Sequence, residues 1–304
     1  MAMNKNPEGS IEPARETRRR RMLAALVLTL AFFVVEVVGG LLSGSLALLA
    51  DAAHMFTDVS ALILAFAAMT VAERVPTKKY TFGFHRLEIL AAFVNAEVLL
   101  MVSGFIFYEA YRRLLQTPEI ETGMMMWVAV AGLTANLVSM KILHADRDDS
   151  LNVKAAYLEV LTDALGSFGV IVGAGVMMLS RWYWVDPVIS AGIGFLVLPR
   201  TISLLRQSAH ILLEGAPGDV DVSKERAQLV AIPGVEEVHD LHVWTLTSGM
   251  HSASVHVRAT ADSPRGQVLG AVQQVLRDEL GVEHATVQVE WGATVTCEMM
   301  GGHE

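Results

Sequence analysis

Apolar residues in this chain come in long blocks up to about residue 207 and in short periodic patches after it. A helix that crosses a bilayer needs roughly 20 mostly apolar residues. Six stretches satisfy this, at about 22–42, 46–72, 87–111, 123–143, 153–179 and 184–205. From 211 to 291 the pattern changes. VEEVHDLHVWTLT and HSASVHVRAT alternate apolar with polar residues, as half-buried strands do. VSKERAQLVAI and RGQVLGAVQQVLRDEL have helical spacing, and ATVQVEW reads as a last short strand. A first strand, weakly marked, is expected near residues 210–214. The expected organisation is a basic segment 1–21, a six-helix membrane domain 22–207, an α+β domain 208–292 and a tail 293–304.

Composition supports this division. The hydrophobic share is 53%, against roughly 45–50% for soluble domains. Charge then sets an orientation. Lys and Arg gather on the N-terminal flank, after the second and fourth stretches and at the exit of the sixth, 15 in all. The opposite side has three, Arg112, Arg113 and Arg181. The positive-inside bias places both termini in the cytoplasm. From residue 208 onward the chain carries 14 Asp and Glu against 5 Lys and Arg. Such an acidic domain argues against nucleic acid as a partner and suits one that meets cations. The single cysteine, Cys297, allows no internal disulfide.

The chemistry lies in the apolar blocks that carry charge. The second contains DAAHMFTD, with Asp51, His54 and Asp58; the fifth contains Glu159 and Asp163. Residues four apart share a helix face, so His54 with Asp58 and Glu159 with Asp163 each project together. A bare carboxylate in hydrocarbon costs several kcal/mol or more. If the two faces meet, one nitrogen and three oxygen donors form a four-coordinate site of the kind Zn²⁺ accepts. Asp51 reads either as part of this site or as a polar residue near the outer surface. Asn95, Glu97 and Asn136 also fall inside apolar blocks, where polar residues normally face a bundle interior or a wet cavity. In the last domain His239, His242, His256, His284 and Glu290 fall in strands or at their ends and could bind one or two further metals.

These residues resemble the cation diffusion facilitator family over nearly the whole chain. The resemblance is carried by SLALLADAAHMFTD, YTFGFHRLEILAAFVNA, LNVKAAYLEVLTDALGS, LLEGAP and GVEEVHDLHVWTLTSG. It implies a homodimeric, six-span metal/proton antiporter with a cytoplasmic ferredoxin-like (βαββαβ) domain. His54, Asp58 and Asp163 match the family's metal site directly. Glu159 stands where many zinc-transporting members have His, and oxygen is a harder ligand than imidazole. The resemblance also favours His239, His256 and Glu290, then His284, for a cytoplasmic metal, and relates His85 to a loop metal site of some relatives. The His-rich loop of many relatives is missing: HADRDDS has only His144, read as a solvated residue.

The expected function is proton-coupled export of divalent metal, zinc first and cadmium or cobalt next. Zn²⁺ is then substrate and structural or regulatory ligand, with no prosthetic group. Protons, lipids and a second copy of the chain are the other partners. The chain has no Gly-rich phosphate loop of the GxxxxGK[ST] kind, so a proton gradient is the expected drive. Two alternatives are a membrane zinc metalloenzyme and a metal sensor that does not transport.

Overall fold

A computed structural model describes residues 11–56, 59–60, 77–144, 151–247 and 249–291. Asp58 and much of the second apolar stretch lie outside the described residues. The chain divides into two compact units, one of residues 1–63 with 95–203, the other of 64–94 with 204–304.

The first unit is helical. It draws on α1 (Ile11–Ser43), α2 (described over Leu46–Phe56), α3 (Arg86–Leu115), α4 (Thr122–His144), α5 (Leu151–Ser180) and α6 (Val185–Leu212). Among the described residues, four of these are long and apolar enough to cross a membrane: α3, α4, the Ala156–Ser180 part of α5, and α6. The apolar parts of α1 and α2, Val27–Ser43 and Leu46–Phe56, are shorter. Helix α4 packs along α5 and against α1. The core between helices joins Ala47 and Leu48 to Met125, Ala129, Val170, Ala174 and Met177. Asn136 and Asn95 are buried, as expected; Asn136 donates to Ser167 Oγ at 3.5 Å, and Asn95 Oδ1 accepts from Ser60 at 2.5 Å. Glu97, by contrast, is exposed.

The α1–α2 turn is built around one buried carboxylate. Gly44 turns the chain with φ +71°, a left-handed conformation that glycine adopts without strain. Helix α2 then starts with exposed backbone donors and no acidic residue of its own to meet them. Asp186, in the first turn of α6 and fully buried, supplies the acceptor from elsewhere in the chain. It accepts from Ser45 Oγ at 2.6 Å, Leu46 N at 2.8 Å and Ala47 N at 3.2 Å. These are the orphan amides of a helix start, where negative charge is also favoured by the helix dipole. Arg113, near the end of α3, donates to the Gly44 carbonyl at 2.6 Å and lies 3.8 Å from Asp186 Oδ2. Glu109 holds Arg113 in place at 2.9 Å.

The second unit holds a three-stranded sheet, β1 (Val235–Thr247), β2 (Met250–Ala259) and β3 (Val282–Trp291), with α7 (Val222–Val230) and α8 (Arg265–Asp278). The strand order is β1-β2-β3; β1 and β2 are antiparallel, β2 and β3 parallel across α8. Alternate strand residues Val238, Val243, Val255 and Val257 meet Leu229, Val268, Val272 and Leu276 of the helices in one core. Asp221 caps α7 by accepting from Ser223 N and Lys224 N.

The strand expected near 210–214 does not form. HIL ends α6 instead, and the helix closes with Gly215 N donating to the His210 carbonyl at 2.9 Å. A run of three apolar residues after a long helical pattern extends the helix until Gly215 and Pro217 stop it. Among the described residues the domain therefore shows three strands.

Replacing Asp186 by Ala leaves three donors at a buried helix start without their acceptor and Arg113 without one of its two counter-charges. The loss is expected to cost about 2–5 kcal/mol, read as an earlier thermal unfolding transition of the detergent-solubilised protein. Asp186→Asn, which keeps one acceptor oxygen, falls between.

Candidate metal sites

Two clusters of metal-binding groups emerge, one in each unit. The first joins α2 to α5. His54 Nε2 lies 3.6 Å from Asp163 Oδ1, and both residues are buried, 8% and 5% exposed. The spacing within each helix sets this meeting: Asp163 falls on the face of α5 that packs inward with Val160, Ala164 and Ser167. Glu159 lies one turn earlier on α5. Its carboxylate receives both arms of Arg200 from α6, Nη2 to Oε2 at 3.1 Å and Nη1 to Oε1 in a shorter bond. Of the four residues expected at this site, the structure thus brings His54 and Asp163 together, engages Glu159 with an arginine, and leaves Asp58 outside the described residues.

A second buried acid accompanies them. Asp51, one turn before His54, is 3% exposed, and Glu36 on α1 is 1% exposed. Gly166 on α5 faces Asp51: a Cβ there would lie 3.2 Å from Asp51 Oδ1, so only glycine leaves this space open. Glu36 was not singled out from the sequence. Its signal was present, a lone acid inside LTLAFFVVEVVGG, but a search for ligand pairs at i, i+4 passes over a residue whose partner is on another helix. Asp186 and Arg200 escaped notice for the same reason.

The second cluster stands on the sheet. His239 and His256 are opposite one another in the β1–β2 register, with ring centroids 5.4 Å apart. Glu290 on β3 reaches both: Oε2 is 3.5 Å from His239 Nε2 and Oε1 is 3.5 Å from His256 Nδ1. One ligand atom from each of the three lies within 4.8 Å of the others. Asp240, with φ +47° in an irregular stretch of β1, puts its carboxylate 3.8 Å from His256 Nδ1. Two imidazoles and a carboxylate form a donor set that zinc accepts. His284 does not join this group; it pairs with Ser252 across the sheet, and its ring meets Phe82 edge-on at 5.9 Å. His242 is opposite Ser254, and His85 stands just before α3, half-buried; neither belongs to the three-residue cluster. His144 is exposed at the end of α4, consistent with a solvated residue.

Comparison with known proteins places both units. Residues 22–213 match the cation efflux transmembrane domain, and residues 217–291 match the cation efflux protein cytoplasmic domain. The chain is 50% identical over 272 residues to the metal cation efflux system protein CzcD of Cupriavidus metallidurans, covering 89% of this chain and 86% of the relative. It is 43% identical over 278 residues to the zinc transporter ZitB of Escherichia coli, covering 91% and 88%. It is 34% identical over 292 residues to a cadmium, cobalt and zinc/H(+)-K(+) antiporter of Bacillus velezensis, covering 93% of each. The metalloenzyme alternative falls with this family, whose members are transporters. The chain belongs to the cation efflux family: it is a multi-pass membrane transporter of metal cations with a cytoplasmic domain of the dimer-forming kind.

Proposed function

We propose that the protein exports divalent metal, zinc first, from the cytoplasm in exchange for protons. The observation that carries this reading is the meeting of His54 and Asp163 from two apolar helices. A buried imidazole facing a buried carboxylate is a metal-ready pair, and Asp58 and Glu159 complete the set in this proposal. Zinc is favoured by the imidazole and by what the relatives are named for. Proton exchange follows from ligand chemistry: a protonated imidazole or carboxyl must lose its proton to bind metal, so binding releases protons. Histidine titrates near pH 6.5 in the reference state, within the range a cell can use.

In this reading α1 and α2 continue to complete six spans, and both termini and the acidic domain lie on the cytoplasmic side of a bacterial inner membrane. The proposed limits are 1–21 for the basic segment, 22–207 for the transport domain, 208–292 for a ferredoxin-like domain and 293–304 for the tail. The cytoplasmic domain joins two copies. The His239, His256 and Glu290 cluster takes a regulatory metal there, with His284 and His85 outside it.

Reconstituted in liposomes under a pH gradient, the wild type is expected to move zinc, and Asp163→Ala is expected to reduce flux to the background of empty liposomes. Flux retained in a folded Asp163→Ala protein would remove the site assignment. Cobalt or manganese flux without zinc flux would keep the transporter and discard the metal preference. A second measurement addresses the cytoplasmic cluster: titration of His239→Ala/His256→Ala should find one fewer zinc bound per chain, with zinc flux still measurable. An unchanged stoichiometry would leave the cluster without a metal role.

A further inference from the structure

The carboxylate of Glu159 is already occupied by a cation, and the cation is part of the chain. Arg200 follows Pro199 within α6 and donates through both terminal nitrogens to the two oxygens of Glu159. Such forked pairs are the stronger kind of charge-assisted bond. The pair is not sealed in the interior: the Arg200 side chain is 64% exposed and that of Glu159 26%. It is also near the metal-ready pair, since Glu159 stands one helical turn before Asp163 on α5 and Asp163 faces His54. A guanidinium does not lose its proton in a protein. It can therefore leave Glu159 only by moving, and its exposure gives it somewhere to go.

We propose that Arg200 is a tethered competitor of the transported metal: in the empty site it holds Glu159, and an incoming divalent cation must displace it to recruit that carboxylate. The inference rests on reading His54, Asp58, Glu159 and Asp163 as the transport site. It adds a residue, Arg200, that sets affinity without touching the metal. In the empty state the guanidinium compensates the charge of this carboxylate. On loading, the metal supplies that charge. The effective affinity is the intrinsic one reduced by the fraction of molecules in which Glu159 is unpaired.

The test is zinc affinity of the purified full-length protein in the His239→Ala/His256→Ala background, which leaves the membrane site to be read alone, measured by competition with a chelating dye. Arg200→Met keeps an unbranched side chain of comparable reach and removes the charge. It is expected to bind zinc about tenfold more tightly, as follows if the pair is made in about nine molecules of ten. Arg200→Lys replaces the fork by a point charge and should tighten binding by a smaller factor. The gain must pass through Glu159, so Arg200→Met/Glu159→Gln should bind no more tightly than Glu159→Gln alone. An ion pair with only a structural role predicts the opposite sign, weaker or equal binding when it is broken. Unchanged or weaker binding in both folded Arg200 variants would overturn the proposal, as would a gain that survives Glu159→Gln. Asp163→Ala separates the two readings: if it leaves zinc binding intact, the transport-site assignment fails; if it abolishes binding while Arg200→Met gives no gain, only the role of Arg200 fails.

Discussion

A carboxylate removed from water must be compensated, and the helical unit is organised around that constraint. The cost of a bare buried charge runs to several kcal/mol even after relaxation. Four acidic side chains of this unit meet it in different ways. Asp186 is surrounded by a hydroxyl, two amides and an arginine. Glu109 accepts from Arg112 and Arg113. Glu159 accepts from Arg200. Asp163 faces His54. Fixed charges and backbone dipoles serve the first two. An imidazole and an exposed arginine serve the other two. That contrast separates acids that hold the fold from acids that can trade ligands.

The two metal-ready clusters follow from two secondary-structure periods. On helices, a spacing of four places donors one above another, and the cluster forms only where another helix presents its own pair. On the sheet, register does the work: His239 and His256 face each other because β1 and β2 pair at that point, and Glu290 arrives from the parallel neighbour. A slip of one residue would send either histidine to the opposite face. The sheet cluster is thus fixed by backbone hydrogen bonds, whereas the membrane cluster depends on how helices pack.

Much of this was legible in the chain. Long apolar blocks gave the helices, alternation gave β1 and β2, and the paired acids and histidine of DAAHMFTD and YLEVLTD pointed to the place where α2 meets α5. What escaped was tertiary. Glu36 is an isolated acid until α1 is laid beside α2. Asp186 acts as a helix cap about 140 positions from the helix it caps, and no local motif encodes that. The run HIL carried too little pattern to separate a short strand from a last helical turn. Arg200 was counted only among cations at the exit of a span, where its charge set orientation; its second role appears once α6 is placed against α5.

Two arginines of the helical unit, Arg113 and Arg200, show how the same residue type serves opposite ends. Arg113 has a side chain 17% exposed, is held by Glu109 and bonds a backbone carbonyl beside Asp186. Moving it would strand two carboxylates and a turn at once, so it is a fixture. Arg200 has a side chain 64% exposed and reaches Glu159 across a helix interface. Moving it releases the carboxylate of Glu159, which in the proposal above a divalent cation takes over. Displacing a partner is cheapest where the partner can return to water and the group it leaves is immediately paired again. Among the described ion pairs of this unit, Arg200 with Glu159 meets both conditions, which is why affinity can be tuned there without disturbing the anchoring of α2.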